Sequence, residues 1–190
     1  MKKKKEKSVK CPCCSMEKYK AEISVCLSIL ENIIKIHFKQ YKDLNIDAYE
    51  DFTNNNFEWA CDLCLKNKKA IIAIPPLQNH VWNPKVAYYD TYLICRTCGK
   101  DFTFTKEEKK IWYETLQFWI QSSPVNCLQC RQQIRLLKIQ SSTLSSILKK
   151  DKKEMSIEEL TTVVEIYQKW NKPEKVKHYE SLLKKKQMSS

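Results

Sequence analysis

Eight of the ten cysteines fall into four C-x-x-C pairs, Cys11/Cys14, Cys61/Cys64, Cys95/Cys98 and Cys127/Cys130. Two cysteines at that spacing on a tight turn can aim both sulfurs at one ion, and a second such pair completes the tetrahedron that structural zinc prefers. The eight thiols therefore supply two Cys₄ sites, and the expected cofactor is two Zn²⁺ per chain. Four thiolates leave no open coordination position for water or substrate, so the pattern points away from catalysis at the metal. No Ser/His/Asp set or phosphate-binding glycine loop is legible either, and the chain reads as a non-enzymatic module.

The alternative use of so many cysteines is disulfide bonding, which needs an oxidising compartment. The first ten residues are basic but lead into Cys11-Pro12-Cys13-Cys14, not into the apolar stretch of an export signal. No run is long and apolar enough for a membrane span. The expectation is a cytoplasmic, reduced protein with no membrane partner.

Formal charge is +12, and two four-thiolate zinc sites lower it to about +8. The charge is unevenly spread: residues 1–20 hold eight lysines against two acids, 21–60 three lysines against seven acids, and 61–150 fourteen bases against six acids. A basic face suits phosphate-rich partners, RNA, DNA or a ribonucleoprotein. Lysine outnumbers arginine 31 to 3, a bias that equally suits a solvated surface and does not favour bidentate base reading.

Along the chain, a basic tail (1–10) precedes an N-terminal cysteine-pair segment (11–64). Its amphipathic helix has Ile23, Cys26, Leu27, Leu30, Ile33, Ile34, Phe38 and Tyr41 at three-and-four spacing. Cys26 lies in that stripe and reads as a small buried hydrophobe; His37, beside it, reads as a surface or half-buried histidine and not a metal ligand. The acidic cluster Asp43, Asp47, Glu50 and Asp51 lacks the glycine and oxygen spacing of a calcium loop and reads as a solvated face. His80 is the one histidine placed to substitute for a cysteine ligand, although a full set of thiols is present.

The metal core is expected over residues 65–140. A strand from Ala87 runs into Cys95, the only glycine, Gly99, follows Cys98 where the chain must turn back, and Asp101-Phe102-Thr103-Phe104 alternates as a return strand. Thr105 with Glu108 has the capping-box spacing, predicting a helix from Lys106 to about Gln121 whose aromatics form core; Cys127 and Cys130 then lie at a second helix start. The serine- and lysine-rich stretch 141–154 reads as a linker. Residues 155–187 read as a helical hairpin, opened by a capping box at Ser156 and Glu159 and loosely similar to one tetratricopeptide-type unit, which needs a neighbour to cover its apolar face.

From Asp90 to Arg131 the pattern D-x-x-x-x-C-x-x-C-G-K-x-F-x-F-T-x-E-E, then W-Y-E, F-W and S-x-P-x-x-C-x-x-C-R resembles the zinc-ribbon family of treble-clef type, small and mostly uncharacterised bacterial proteins. The resemblance implies Cys95, Cys98, Cys127 and Cys130 as ligands, the first pair on a knuckle and the second at a helix start. It implies no particular activity. The 28 residues between those pairs exceed a simple ribbon's spacing, and an intervening helix accounts for the excess.

The expected fold is therefore α+β, a small zinc-stabilised treble-clef or zinc-ribbon module with flanking helices and a C-terminal helical hairpin. For the other site, Cys11/Cys14 with Cys61/Cys64 is the preferred pairing. Four pairs nevertheless combine in three ways, and Cys13 is close enough in sequence to replace Cys11 or Cys14. The leading function is contact with nucleic acid or a ribonucleoprotein through Arg96, Lys100, Arg131 and Arg135. An adaptor binding a protein partner through aromatic surface and the C-terminal hairpin is the alternative. Thiol redox chemistry at Cys11-Pro12-Cys13-Cys14 is a third reading, weakened by the missing thioredoxin-like context.

Overall fold

The computed structural model describes residues 7–37, 49, 58–79 and 84–188. The first six residues of the basic tail, the acidic cluster Asp43, Asp47, Glu50 and Asp51, and His80 lie outside these, as does the His37 side chain. The chain divides into two compact units, Met1–Cys127 and Leu128–Ser190.

The first unit is built from short pieces. Strands β1 (Ser8–Lys10) and β2 (Glu17–Tyr19) form an antiparallel hairpin around the first cysteine pair. Helix α1 (Ser24–His37) follows, and α2 (Asp62–Lys66) carries the second pair. Strand β3 (Ala70–Ile72) pairs with β4 (Ala87–Tyr89), and β5 (Thr91–Ile94) with β6 (Asp101–Phe104), so three two-stranded sheets replace one larger one. Asp62 joins two of these pieces, its carboxylate accepting the N–H groups of Ser24 and Val25 at 3.0 and 3.1 Å and so capping α1.

Among the described residues, two apolar cores sit in this unit. One gathers Val9, Ile23, Leu27, Leu30, Trp59 and Val86 around the buried Cys11, Cys61 and Cys64. Cys26 belongs to it as expected, fully buried and donating its thiol to the Ala60 carbonyl at 3.2 Å. The other packs Tyr88, Phe104 and Tyr113 with Ala73 and Ile120.

Helix α3 starts at Lys106 as the sequence predicts, with the Thr105 hydroxyl accepting the Glu108 N–H at 3.1 Å. The Lys106 N–H goes to the Asp90 carboxylate at 2.8 Å, a cap supplied from the preceding hairpin. The helix is shorter than the expected run to Gln121. It spans Lys106–Lys110, widens into a π-helical turn at Ile111–Thr115 and stops, with Gln117 in the left-handed region at φ 50°. Side-chain bonds favour that ending: the Trp112 indole donates to the Ser122 hydroxyl at 3.0 Å and the Tyr113 hydroxyl to the Ser122 carbonyl at 2.7 Å, pulling the chain back across the turn. Phe118 and Trp119 are accordingly part exposed and outside the core.

A buried ion cluster ties this unit together. Glu58 accepts from Lys85 at 2.6 Å and from Lys109 at 3.3 Å, and the Lys109 ammonium also lies 4.7 Å from the Tyr89 ring centre. Lys109 is only 2 % exposed, and burial pushes its pKa down against the pull of Glu58. Glu58→Gln removes the shared counter-ion and strands two cations. It should cost about 3 kcal/mol, the low end for a broken buried pair because Glu58 is itself part exposed. Urea unfolding of the zinc-loaded protein reads this, and a loss under about 1 kcal/mol would mean that water already screens the cluster.

In the second unit α4 runs over Leu128–Leu148, α5 over Ile157–Lys169 and α6 over Pro173–Met188. Residues Ser141–Leu148, expected to belong to a linker, are the last two turns of α4. Leu144 and Ile147 there enter a core with Met155, Leu160, Val163 and Tyr179, and that burial outweighs the weak helix propensity of serine. The hairpin of α5 and α6 thus finds the neighbour it needs within the chain. Its signals act as read: Ser156 and Glu159 form a reciprocal capping box, Asn171 turns the chain at φ 50°, and Pro173 opens α6.

Candidate metal centre

Both halves of the first centre come from local folding. Between β1 and β2 the Cys11 N–H donates to the Met16 carbonyl at 2.9 Å and the Ser15 N–H to the Cys11 carbonyl at 2.8 Å, while Ser15 takes φ 59°. That knuckle turns the Cys11 and Cys14 sulfurs inward. Cys61 is the N-cap residue of α2, and Cys64 lies in its first turn. The Cys61 N–H reaches the Cys11 sulfur at 3.3 Å, a hydrogen bond that favours thiolate.

The second centre repeats the pattern. The Cys95 N–H donates to the Lys100 carbonyl at 2.9 Å, the Gly99 N–H to the Cys95 carbonyl at 2.8 Å, and Gly99 has φ 69°. A Cβ at Gly99 would meet nothing within 4 Å, so the glycine answers a dihedral demand and not a spatial one. Cys127 directly precedes α4, and Cys130 is in its first turn.

The sulfurs of Cys11, Cys14, Cys61 and Cys64 all lie within 4.8 Å of one another, as do those of Cys95, Cys98, Cys127 and Cys130. Cys14 and Cys61 are 3.9 Å apart, and so are Cys98 and Cys127. A Zn–S bond of about 2.3 Å sets the edge of a thiolate tetrahedron at about 3.8 Å. Both groups therefore fit zinc in separation as well as donor type. Of the three possible pairings the structure selects the preferred one. Cys13 is outside the group, its sulfur 3.9 Å from the Lys69 carbonyl.

The ligand thiols differ in how easily they ionise. Burial drives the Cys11 thiol up to about 11 and raises Cys64 as well. Burial also opposes ionisation of Cys95, but the N–H groups of Cys127, Cys98 and Thr97 outweigh it and bring that thiol down to about 6. Zinc binds thiolate, so Cys11 and Cys64 give up their protons as the ion arrives, whereas Cys95 is partly prepared for it, as is Cys14 of the first centre, whose thiol is raised by burial but brought down further by hydrogen bonds from the Met16 N–H and the neighbouring thiols.

Two positioning groups escaped the sequence reading. Asn126, just before Cys127, accepts the Thr97 N–H at 3.1 Å and the Thr97 hydroxyl at 2.9 Å, fastening the second pair to the knuckle; the Arg96 N–H bonds the Val125 carbonyl at 2.9 Å beside it. Asp90 sets the start of α3. An asparagine before a cysteine is common in loops, and the link from Asp90 to Lys106 spans 16 residues, which spacing alone does not register.

The knuckle, the hairpin of β5 and β6 and the helix bearing the last pair are the parts of a treble clef. Residues 89–136 match the family model of a probable treble clef domain. No curated protein and no solved structure matches the chain. The treble clef is a zinc-binding domain with a four-cysteine centre, and the first centre, which lies outside the matched residues, has the same knuckle and helix-start construction. His80 is not needed as a ligand at either. The redox reading of Cys11-Pro12-Cys13-Cys14 meets a different geometry from the one it required: the run caps a β-hairpin, not a helix, and Cys11 is buried.

Of the residues nominated for nucleic-acid contact, Arg96, Lys100 and Arg135 are exposed and Arg131 is half-buried. Arg96 and Arg131 each directly follow a ligand of the treble clef centre. No helix among the described residues is long and apolar enough to cross a membrane.

Proposed function

We propose that this chain is a non-enzymatic zinc protein that holds RNA or DNA by its phosphates, using Arg96 and Lys100 on the treble clef knuckle and the basic stripe of α4. The observation that carries this reading is the charge of that helix. Between Glu114 and Asp151 the sequence has no carboxylate, and α4 lies wholly inside the gap. Arg131, Arg135, Lys138, Ser142 and Ser145 recur at alternating spacings of four and three, which places them along one side of the helix over about 21 Å. Arg135, Lys138 and both serines are exposed. Exposed cations and hydroxyls on a segment with no carboxylate of its own are what a phosphate backbone pairs with.

The adaptor alternative relied on aromatic surface and the C-terminal hairpin; α4 covers the hairpin's apolar face, while Phe118 and Trp119 stay part exposed. Four thiolates closing each metal centre support the absence of catalysis there.

A salt titration tests the reading. Contacts with about four phosphates give log Kobs against log salt a slope near −3 to −4 on random RNA or duplex DNA. Arg135→Ala with Lys138→Ala should flatten that slope by about 2 while leaving zinc content unchanged. Binding that is absent, or insensitive to salt, sinks the proposal.

A further inference from the structure

Alternation along β5 sends Leu93 toward the core of Tyr88, Phe104 and Tyr113, and leaves Tyr92 and Ile94 on the opposite face. There Tyr92 is 82 % exposed and Ile94 72 %. A hairpin covered on one face is ordinarily polar on the other, so a tyrosine ring and an isoleucine side by side in water are out of place. Among the described residues Tyr92 has no ring or hydrogen-bond partner. Thr103 stands opposite Tyr92 in the ladder and Asp101 opposite Ile94, so neither neighbour covers the ring.

Charge indicates what would cover it. The strand leads directly into the knuckle, where Arg96 and Lys100 are exposed. The bond from the Cys95 N–H to the Lys100 carbonyl continues the ladder and sets Lys100 across from Cys95, at the end of the hairpin and by alternation not on the face of Tyr92 and Ile94. Three strand residues from Tyr92 to that level span about 10 Å, roughly the length of three stacked nucleotides of one strand. Asp90, just before β5, is engaged by Lys106, and within the two strands Asp101 is the one carboxylate. It repels a phosphate but accepts hydrogen bonds from base amino groups, so this face favours bases over backbone, with the cations at the tip for the phosphates.

We propose that Tyr92, extended by Ile94, is a base-stacking platform, and that the treble clef therefore takes single-stranded nucleic acid in preference to a duplex. This rests on the nucleic-acid reading above and deepens it. In a duplex both faces of each base are already stacked, whereas an unpaired base has a face to offer the ring. A protein surface placed on this patch would need no π-face and no phosphate.

The test uses full-length, zinc-loaded protein with a labelled short oligouridylate and a labelled duplex DNA hairpin. Tyr92→Ala should weaken oligouridylate binding about tenfold and leave duplex binding within about twofold, since phosphate contacts alone serve the duplex. Tyr92→Phe keeps the ring and should bind as wild type, whereas Tyr92→Leu keeps apolar area without a π-face and should match the alanine variant. Two zinc ions per chain in each variant confirm that the fold is intact. Equal single-strand binding by all variants overturns the platform while leaving the nucleic-acid reading in place, as does an equal loss on both ligands. Wild-type protein that binds neither ligand overturns both.

Discussion

Removing zinc with a strong chelator collapses the tertiary structure of Met1–Cys127 while the helices of Leu128–Ser190 persist. The asymmetry follows from what each unit is made of. In the first, among the described residues no strand exceeds four residues and every sheet has two strands. A two-stranded hairpin is marginal in water by itself. The sulfurs, not the strands, hold distant segments together: the first centre joins residues 11–14 to 61–64, and Cys11, Cys61 and Cys64 form the middle of an apolar core. A structural zinc site contributes on the order of 10–16 kcal/mol, well above the about 1 kcal/mol of a helix cap. The second unit has a metal-free core of Leu144, Ile147, Met155, Leu160, Val163 and Tyr179, with Tyr167 stacked on Tyr179 at 5.6 Å. Near-ultraviolet circular dichroism should lose most of its signal on chelation, while far-ultraviolet helicity falls only in part. Spectra that do not change under chelation would mean that apolar packing alone supports the first unit.

Cys14→Ser should lower the zinc count from two to one, and Cys13→Ser should leave it at two. The two positions adjoin in sequence and both precede a tight turn, so the difference is a matter of direction. The Cys14 sulfur lies 3.9 Å from that of Cys61 inside the four-sulfur group, whereas the Cys13 sulfur, beside Cys64, lies outside it at 3.9 Å from the Lys69 carbonyl. Serine at position 14 replaces a thiolate with a hydroxyl that zinc bonds poorly, leaving three buried thiols, two of which burial already keeps protonated. The first centre should then empty, and much of the stability of its unit should go with it. Native mass spectrometry counts the ions directly. Loss of one zinc from Cys13→Ser, or retention of both by Cys14→Ser, would show that the first centre uses a different ligand set.

Signals confined to a few adjacent residues were legible. The capping box at Ser156 and Glu159, the glycine after Cys98, the return strand Asp101–Phe104 and the Thr105 cap of α3 each depend on residues within one turn of one another, and each formed as expected. Where distant contacts decided, the reading failed. The helix after Lys106 ended early because Ser122 accepts and donates across a turn that periodicity does not register. The serines of 141–148 looked like a linker because composition carries no information about Leu144 and Ile147 being covered by another helix.

The local order of residues was enough to determine that metal builds this protein: C-x-x-C spacing places two sulfurs on one turn or one helix start whatever surrounds them, because a few backbone hydrogen bonds fix it. Which pairs share an ion, that Cys14 and not Cys13 is the ligand, and that the terminal hairpin rests on α4 were decided only by the tertiary structure. Each of these depends on the approach of segments tens of residues apart, and such approaches are set by the packing of the whole unit, to which no short stretch of sequence has access.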